Sequence, residues 1–426
     1  MAFSDDRTPK ESCRDTKHES LLVVNVHIID IEENRILEKQ DVLVENGLIS
    51  YIGRYDGSEN ERETQVIDGK GWYVLPGLID LHVHLMFDSR LNLNTCVLEQ
   101  SVPSLTINAL SAAQRTLASG YTTVRDLGAS AGIAIALGQK IEEGAVQGPR
   151  IVASGQILTA SGGHASSYPE WVHVDHPFGC VADGTSALRR AVRRQVQQGA
   201  QVIKFSASSG MSSAKASAFT REYSLEEMKA IVDEAHMLGL RVSAHAHGDD
   251  AIATAIAAGV DTLEHGTELT DETVRQMIAK DVVLVPTLSA MLAIVDSRPD
   301  IGIPRETRRK ASAAKERRIE SFQKALSAGV RIGAGTDAGT PLNLHGNNAH
   351  ELELLVRFGM TPAQAIHAST LGAAETLGIE DCVGSITVGK AADMILIREN
   401  PLDDVGVLAS AHNNIVTVIK GGQPVA

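Results

Sequence analysis

Residues 224–248 read SLEEMKAIVDEAHMLGLRVSAHAHG. The first part opens Ser224-x-x-Glu227, a capping box in which side chains satisfy the free N–H groups of a helix start. Gly239 then closes the helix, since a left-handed residue is commonly needed at its end. The short run LRVSAHAHG that follows reads as a strand. The same grammar recurs along the chain. Gly120 precedes YTTVRDLG, Gly199 precedes AQVIKFSAS, Gly259 precedes VDTLEHG and Gly329 precedes VRIGAGTDAG. Helical stretches such as ALRRAVRRQVQQ lie between them. With LIDLHVHL, PRIVASG and VVLVPTL added, strands are expected to begin near residues 78, 121, 150, 201, 241, 261, 282 and 331. Strands alternating with helices give βαβ units and a parallel sheet. Eight such units predict a closed (β/α)8 TIM barrel.

The two ends follow another pattern. Residues 21–75 and 383–426 consist of short strands and turns, as in LLVVNVHIID and NNIVTVIKGG. They predict one small β-sandwich-like domain built from both termini around a barrel spanning 76–382. Residues 1–20 are polar, lack an apolar signal core, and are expected to form a disordered tail. Connections 155–184, 206–222 and 289–306 are expected to be long loops that shape a pocket.

Composition narrows the class. The 426 residues carry a formal net charge of -14 and are 43% hydrophobic, which argues against nucleic acid or an anionic membrane as partner. No apolar run approaches the ~20 residues of a membrane span. The four cysteines are far apart, as expected of reduced thiols in a cytoplasmic protein.

Polar residues interrupt the strand-like runs near their C-terminal ends, where a barrel carries its active site. They are His82 and His84, Lys204, His245, His265 and Asp337. His82 and His84, two apart, share one face of a strand. Imidazole and carboxylate are ligands for zinc and similar ions. Four histidines and one aspartate can hold two ions, but a close pair needs a bridging anion. Lys204, between Ile203 and Phe205, offers one. A buried amine loses its proton readily and, once neutral, adds carbon dioxide to give a carbamate with two oxygens. The other reading of Lys204 is a snorkelling side chain, or one paired to an acid such as Glu264.

PGLIDLHVH, the lysine on the fourth strand, the histidines on the fifth and sixth, and GTDAG on the eighth resemble the amidohydrolase superfamily over residues 20–420. The tail GSITVGKAADMILI is similar to that family's return to its small β domain. TTVRDLG, the SGGHA loop at 161–165, EYSLEE at 222–227 and AHAHG at 244–248 resemble the imidazolonepropionase-related branch. That branch includes Xaa-Pro dipeptidases, carboxypeptidases acting on Xaa-Arg or Xaa-Lys, and ochratoxin-type amidases. Lys204 separates this chain from imidazolonepropionase itself, which lacks a bridging lysine.

The resemblance implies that His82, His84 and Asp337 hold one divalent ion and His245 and His265 a second, zinc being expected, with N6-carboxylated Lys204 between them. It implies that Asp337 moves the proton of a metal-activated water, and that His164 and Tyr223 contact the scissile carbonyl or substrate carboxylate. His247 is a further donor. Lys215 and Arg221 are candidates for a substrate carboxylate, or are surface charges. Arg125 and Asp126 are expected to form a structural pair, and His173, His176, His345 and His350 to be solvated. The expected reaction is hydrolysis of a peptide-like amide in a dipeptide or N-acyl amino acid, ochratoxin-type amides included. A cyclic-amide, ester or lactone hydrolase on the same site is the alternative, and a non-enzymatic scaffold would have no need of all six groups. A homo-oligomer is expected.

Overall fold

The computed structural model describes residues 20–57, 64–211 and 217–425. The expected tail therefore lies outside the described residues, except Ser20, which opens a strand. The chain begins with β1 (Ser20–Asp30), β2 (Arg35–Glu45), β3 (Leu48–Gly53) and β4 (Thr64–Pro76). There follow β5 (Leu78–Val83), β6 (Tyr121–Asp126), β7 (Arg150–Ala153), β8 (Ile157–Thr159) and β9 (Gly179–Val181). Next come β10 (Val202–Ser206), β11 (Arg241–Ala246), β12 (Thr262–His265) and β13 (Val283–Val285). The last are β14 (Met394–Ile397), β15 (Ile415–Lys420) and β16 (Gln423–Pro424).

Among the described residues, the first four strands and the last three form one seven-stranded sheet in the order β16-β15-β14-β4-β1-β2-β3. It joins the two ends of the chain because β4 lies between β1, which it pairs in parallel, and β14, antiparallel. Val23, Val26, Val42, Val44, Met394 and Ile419 form its apolar core.

The central strands run parallel and alternate with helices, as in a TIM-barrel-type fold. They fall into the runs β5-β6-β7 and β13-β12-β11-β10-β8-β9. Gln201 N–H donates to Ala153 O, linking the start of β10 to β7. The eighth expected strand differs from expectation. Residues 331–338 make only single bridges, Ile332 to β13 and Ala338 to β5. Glycine explains this close but irregular passage. A Cβ on Gly333 would stand 2.4 Å from Leu81, and one on Gly335 2.5 Å from Val285.

The helix starts and stops follow the sequence. Ser224 and Glu227 form the capping box of helix Leu225–Met237, and Gly199, Gly259 and Gly329 are left-handed helix ends. Two expected loops contain structure. β8 and β9 lie within 155–184, where three-residue strands are too short to leave a periodic signal. Helix Leu288–Val295 occupies the start of 289–306 and is buried on most sides, so it has no amphipathic pattern to read.

Candidate metal centre

β5, β10, β11 and β12 bring their C-terminal ends to one cavity of about 140 Å3. Its wall contains His82, His84, Lys204, His245, His265 and Asp337, the six groups read from the sequence, together with His164 and His247. Register explains part of this. Ser206 lies opposite His245 and Ala246 opposite His265. The ring centroids of His82 and His84, and of His82 and His265, are 5.3 Å apart, and those of His245 and His265 are 4.5 Å apart. Asp337 Oδ1 is 3.5 Å from His82 Nε2 and 3.2 Å from His84 Nε2. Both His265 and Asp337 have left-handed backbone, with φ of 74° and 61°. Such strain persists only where surrounding contacts hold it, here including Asp337 N–H on His82 O at 2.6 Å.

The hydrogen-bond partners assign the imidazole tautomers. His82 Nδ1–H donates to Glu264 Oε2 at 2.8 Å, and His84 Nδ1–H to the carbonyl of Gly128 at 3.1 Å. The Thr287 hydroxyl donates to Pro286 O, so it accepts from His265 Nδ1 at 2.7 Å. His82 and His265 therefore present an Nε2 lone pair, whereas His84 Nε2 faces Asp337 Oδ1: burial pulls this imidazole's pKa down, yet the Asp337 charge raises it. His245 is reversed, since its Nε2 donates to Ser209 O at 3.3 Å and leaves Nδ1 as the lone pair. His247 is set by Arg318. A guanidinium can only donate, so His247 Nδ1 accepts from Arg318 at 3.3 Å and the proton sits on Nε2. His247 lies close enough to His245 and His265 to complete a three-histidine cation site, but this tautomer makes its Nε2 a donor.

Burial governs the charges. It pushes His82 and His164 down to about 4 and His245, His247 and His265 well below the usual imidazole range. Neutral imidazole is the form that binds metal. Burial also lowers Lys204 to about 8, with Glu264 opposing and Arg125 assisting. Lys204 is 2% exposed, and among the described residues its Nζ has no hydrogen-bond partner. Such an amine in a cavity of lone pairs fits conversion to an anionic carbamate, and the donor set fits divalent cations. Glu264 does not pair with Lys204. It accepts from Arg125 at 2.9 Å, Ser243 at 2.8 Å and Thr262 at 2.6 Å as well as from His82. Burial opposes its charge, yet Arg125 and Lys204 hold the carboxyl well below its usual range.

Several expectations are corrected. Tyr223 is not at the cavity: it is 2% exposed and its hydroxyl donates to Ala182 O. As the residue before the helix cap, it packs instead into the layer between helix and sheet. Arg125 pairs with Glu264 rather than Asp126, because its side chain enters the barrel interior while Asp126 accepts Leu85 and Gly128 N–H groups. His345 is buried, with its ring Nε2 3.2 Å from the His84 carbonyl oxygen. Arg221 pairs with Asp250 at the surface, and Lys215 lies outside the described residues. His173 and His176 are exposed as expected.

His164 stacks on His245 with centroids 4.3 Å apart. The glycine at 210 makes room for it, since a Cβ there would stand 2.1 Å from the imidazole. Glu222 holds this loop by accepting from His164 and Ala160 N–H groups and the Thr159 hydroxyl. Sequence reasoning missed Glu222 and Arg318. Glu264 had the same signal as Lys204, a charge inside an apolar strand.

The sequence profile of the amidohydrolase family matches residues 73–425. The chain belongs to the amidohydrolase family. This amidohydrolase is 34% identical to the ochratoxinase of Aspergillus niger over 368 residues, 82% of this chain and 75% of that protein. It is 26% identical to the imidazolonepropionase of Geobacillus kaustophilus over 92% of this chain and 91% of that one. Its fold matches the crystal structure of a Xaa-Pro dipeptidase with methionine bound in the active site. The TM-score is 0.87, with 34% identity over 95% of this chain and 99% of the other. As an amidohydrolase it is a hydrolase acting on amide bonds, a family whose members generally use metal ions in the active site.

Proposed function

We propose that this amidohydrolase holds two divalent ions and hydrolyses the amide of a dipeptide or N-acyl amino acid. The single observation that carries the reading is Lys204, a buried amine with no hydrogen-bond partner among the described residues, set in one cavity with His82, His84, His245, His265 and Asp337. In this reading His82, His84 and Asp337 would hold one ion and His245 and His265 the other, with carboxylated Lys204 supplying the anionic ligand. Zinc suits the nitrogen and oxygen donors. When bound, such a pair polarises the scissile carbonyl and lets water act as nucleophile near neutral pH.

The chain's own residues do the rest. Asp337 takes the proton released as water attacks and returns it to the departing amine. His247, fixed with its proton on Nε2, donates toward the developing oxyanion. His164, stacked on His245, is the second donor and covers the cavity from the 161–165 loop. Glu264 and Gly128 O hold the His82 and His84 rings in the tautomers that ligation needs. The names of the ochratoxinase and the Xaa-Pro dipeptidase support an amide next to an amino acid as the bond cleaved. In the same proposal residues 76–382 form a closed barrel and the seven-stranded sheet a separate domain.

Metal analysis of the purified enzyme, followed by assays on dipeptides and N-acyl amino acids beside hydantoins and lactones, tests the reading. About two ions per chain are expected, and Lys204→Ala and Asp337→Asn should both lose activity severely. Wild-type turnover that survives thorough chelation would refute it.

A further inference from the structure

Helix Arg305–Ala328 carries Arg309, Lys315, Arg317 and Lys324 on its surface, each paired with an acid. Arg318 is different. It is 3% exposed, lines the cavity, and among the described residues has no carboxylate within 4.0 Å. Its partners are neutral: Thr267 Oγ1 at 3.1 Å, Thr287 O at 3.3 Å and His247 Nδ1 at 3.3 Å. These use three of its five N–H groups and leave one on each terminal nitrogen. Asp337 and Glu351 act on it only from a distance, and a guanidinium taken out of water with no carboxylate in contact is costly. It is also ready to take a carboxylate by two parallel hydrogen bonds.

We propose that Arg318 receives the α-carboxylate of the amino-acid part of the substrate, which deepens the amide-hydrolase reading on which it rests. The placement fits the chemistry. In an N-acyl amino acid the carboxylate lies two bonds from the amide nitrogen, so its receiver must stand one side chain away from the reacting carbonyl. Arg318 touches His247, whose ring is 4.6 Å from His245 and 5.0 Å from His265. The cavity that Arg318 lines also has apolar lining from Ala290, Met291 and Ile294 of helix Leu288–Val295 and from Ala311 of Arg318's own helix. That lining takes an apolar amino-acid side chain. Phe87 and Phe178, packed 4.9 Å apart and both against His84, line the cavity on the His84 side and take the acyl group.

The test is calorimetric titration of the metal-loaded enzyme with L-leucine, L-methionine and L-phenylalanine and with their primary amides. The wild type should bind the acids about 10- to 100-fold more tightly than the amides, the span of one charge-assisted pair. Arg318→Met should bring that ratio close to unity. Arg318→Lys, which keeps the charge without the fork, should fall between. In the kinetic arm, Arg318→Met should raise KM for N-acetyl amino acids, with a fall in kcat as well because Arg318 also sets the His247 tautomer. A wild type with no preference for the acids, or a preference that survives in Arg318→Met, overturns the inference. Should Arg318→Met fail to fold, the wild-type ratio and Arg318→Lys decide. The binding arm needs no turnover, so absence of N-acyl hydrolysis would count against the amidase reading alone.

Discussion

Glu264→Gln tests how the cavity is tuned from behind. One oxygen of Glu264 accepts from Arg125, Ser243 and Thr262, and the other from His82. The glutamine must keep its carbonyl oxygen toward the three donors, so its amide nitrogen faces His82 Nδ1. That ring can then only accept at Nδ1, and its proton moves to Nε2, which removes the lone pair from the cavity. Arg125, 1% exposed, also loses its buried counter-charge. Removing one partner of a buried pair costs ~3–5 kcal/mol, and the retained carbonyl acceptor sets the expectation at about 3 kcal/mol. Loss of an orienting partner weakens metal retention by about 10- to 100-fold. Denaturant unfolding reads the first number, and metal content after dialysis against graded chelator reads the second. A Glu264→Gln enzyme with wild-type stability and wild-type metal retention would refute the tautomer argument.

Two further outcomes follow from the geometry. Tyr223→Phe should leave kcat and KM nearly unchanged and cost about 1 kcal/mol of stability, the net worth of the bond to Ala182 O; a large fall in kcat would return Tyr223 to the active site. Glu351, buried and accepting from Leu288 and Ser289 N–H groups, is pushed by burial from 4.5 to about 7. Because its folded pKa is raised, its stabilising contribution is complete below about pH 4.5 and is lost as pH rises through about 7. The stability lost on Glu351→Ala, from unfolding curves at a series of pH values, should therefore shrink as pH rises across that window, and a loss that grows instead would contradict the assignment.

What the sequence made legible was whatever a single side chain betrays by sitting in the wrong company. Lys204 among Ile203 and Phe205, or His82 among Leu81 and Val83, is conspicuous because a strand buried on both faces has no ordinary place for charge. The helix caps were legible because they depend on neighbours three or four residues away. Arg318 was not, since it stands in a helix full of cations and only the fold distinguishes the one that turns inward. Tyr223 and His345 failed for the same reason in opposite directions. Burial is decided by distant segments, here Ala182 for one and the His84 carbonyl for the other. The partner of Arg125 lies 139 residues away on β12, while its neighbour Asp126 caps a turn.

The seven-stranded sheet also bears on how this molecule comes off the ribosome. β4 is made early, yet the strand that covers its far edge, β14, is made more than 300 residues later. Until then the nascent chain carries an open ladder of backbone donors and acceptors, a surface that invites pairing with other chains. Slow translation of the barrel would lengthen that exposure, so the yield of native enzyme is set partly by the time β4 waits for its last neighbour.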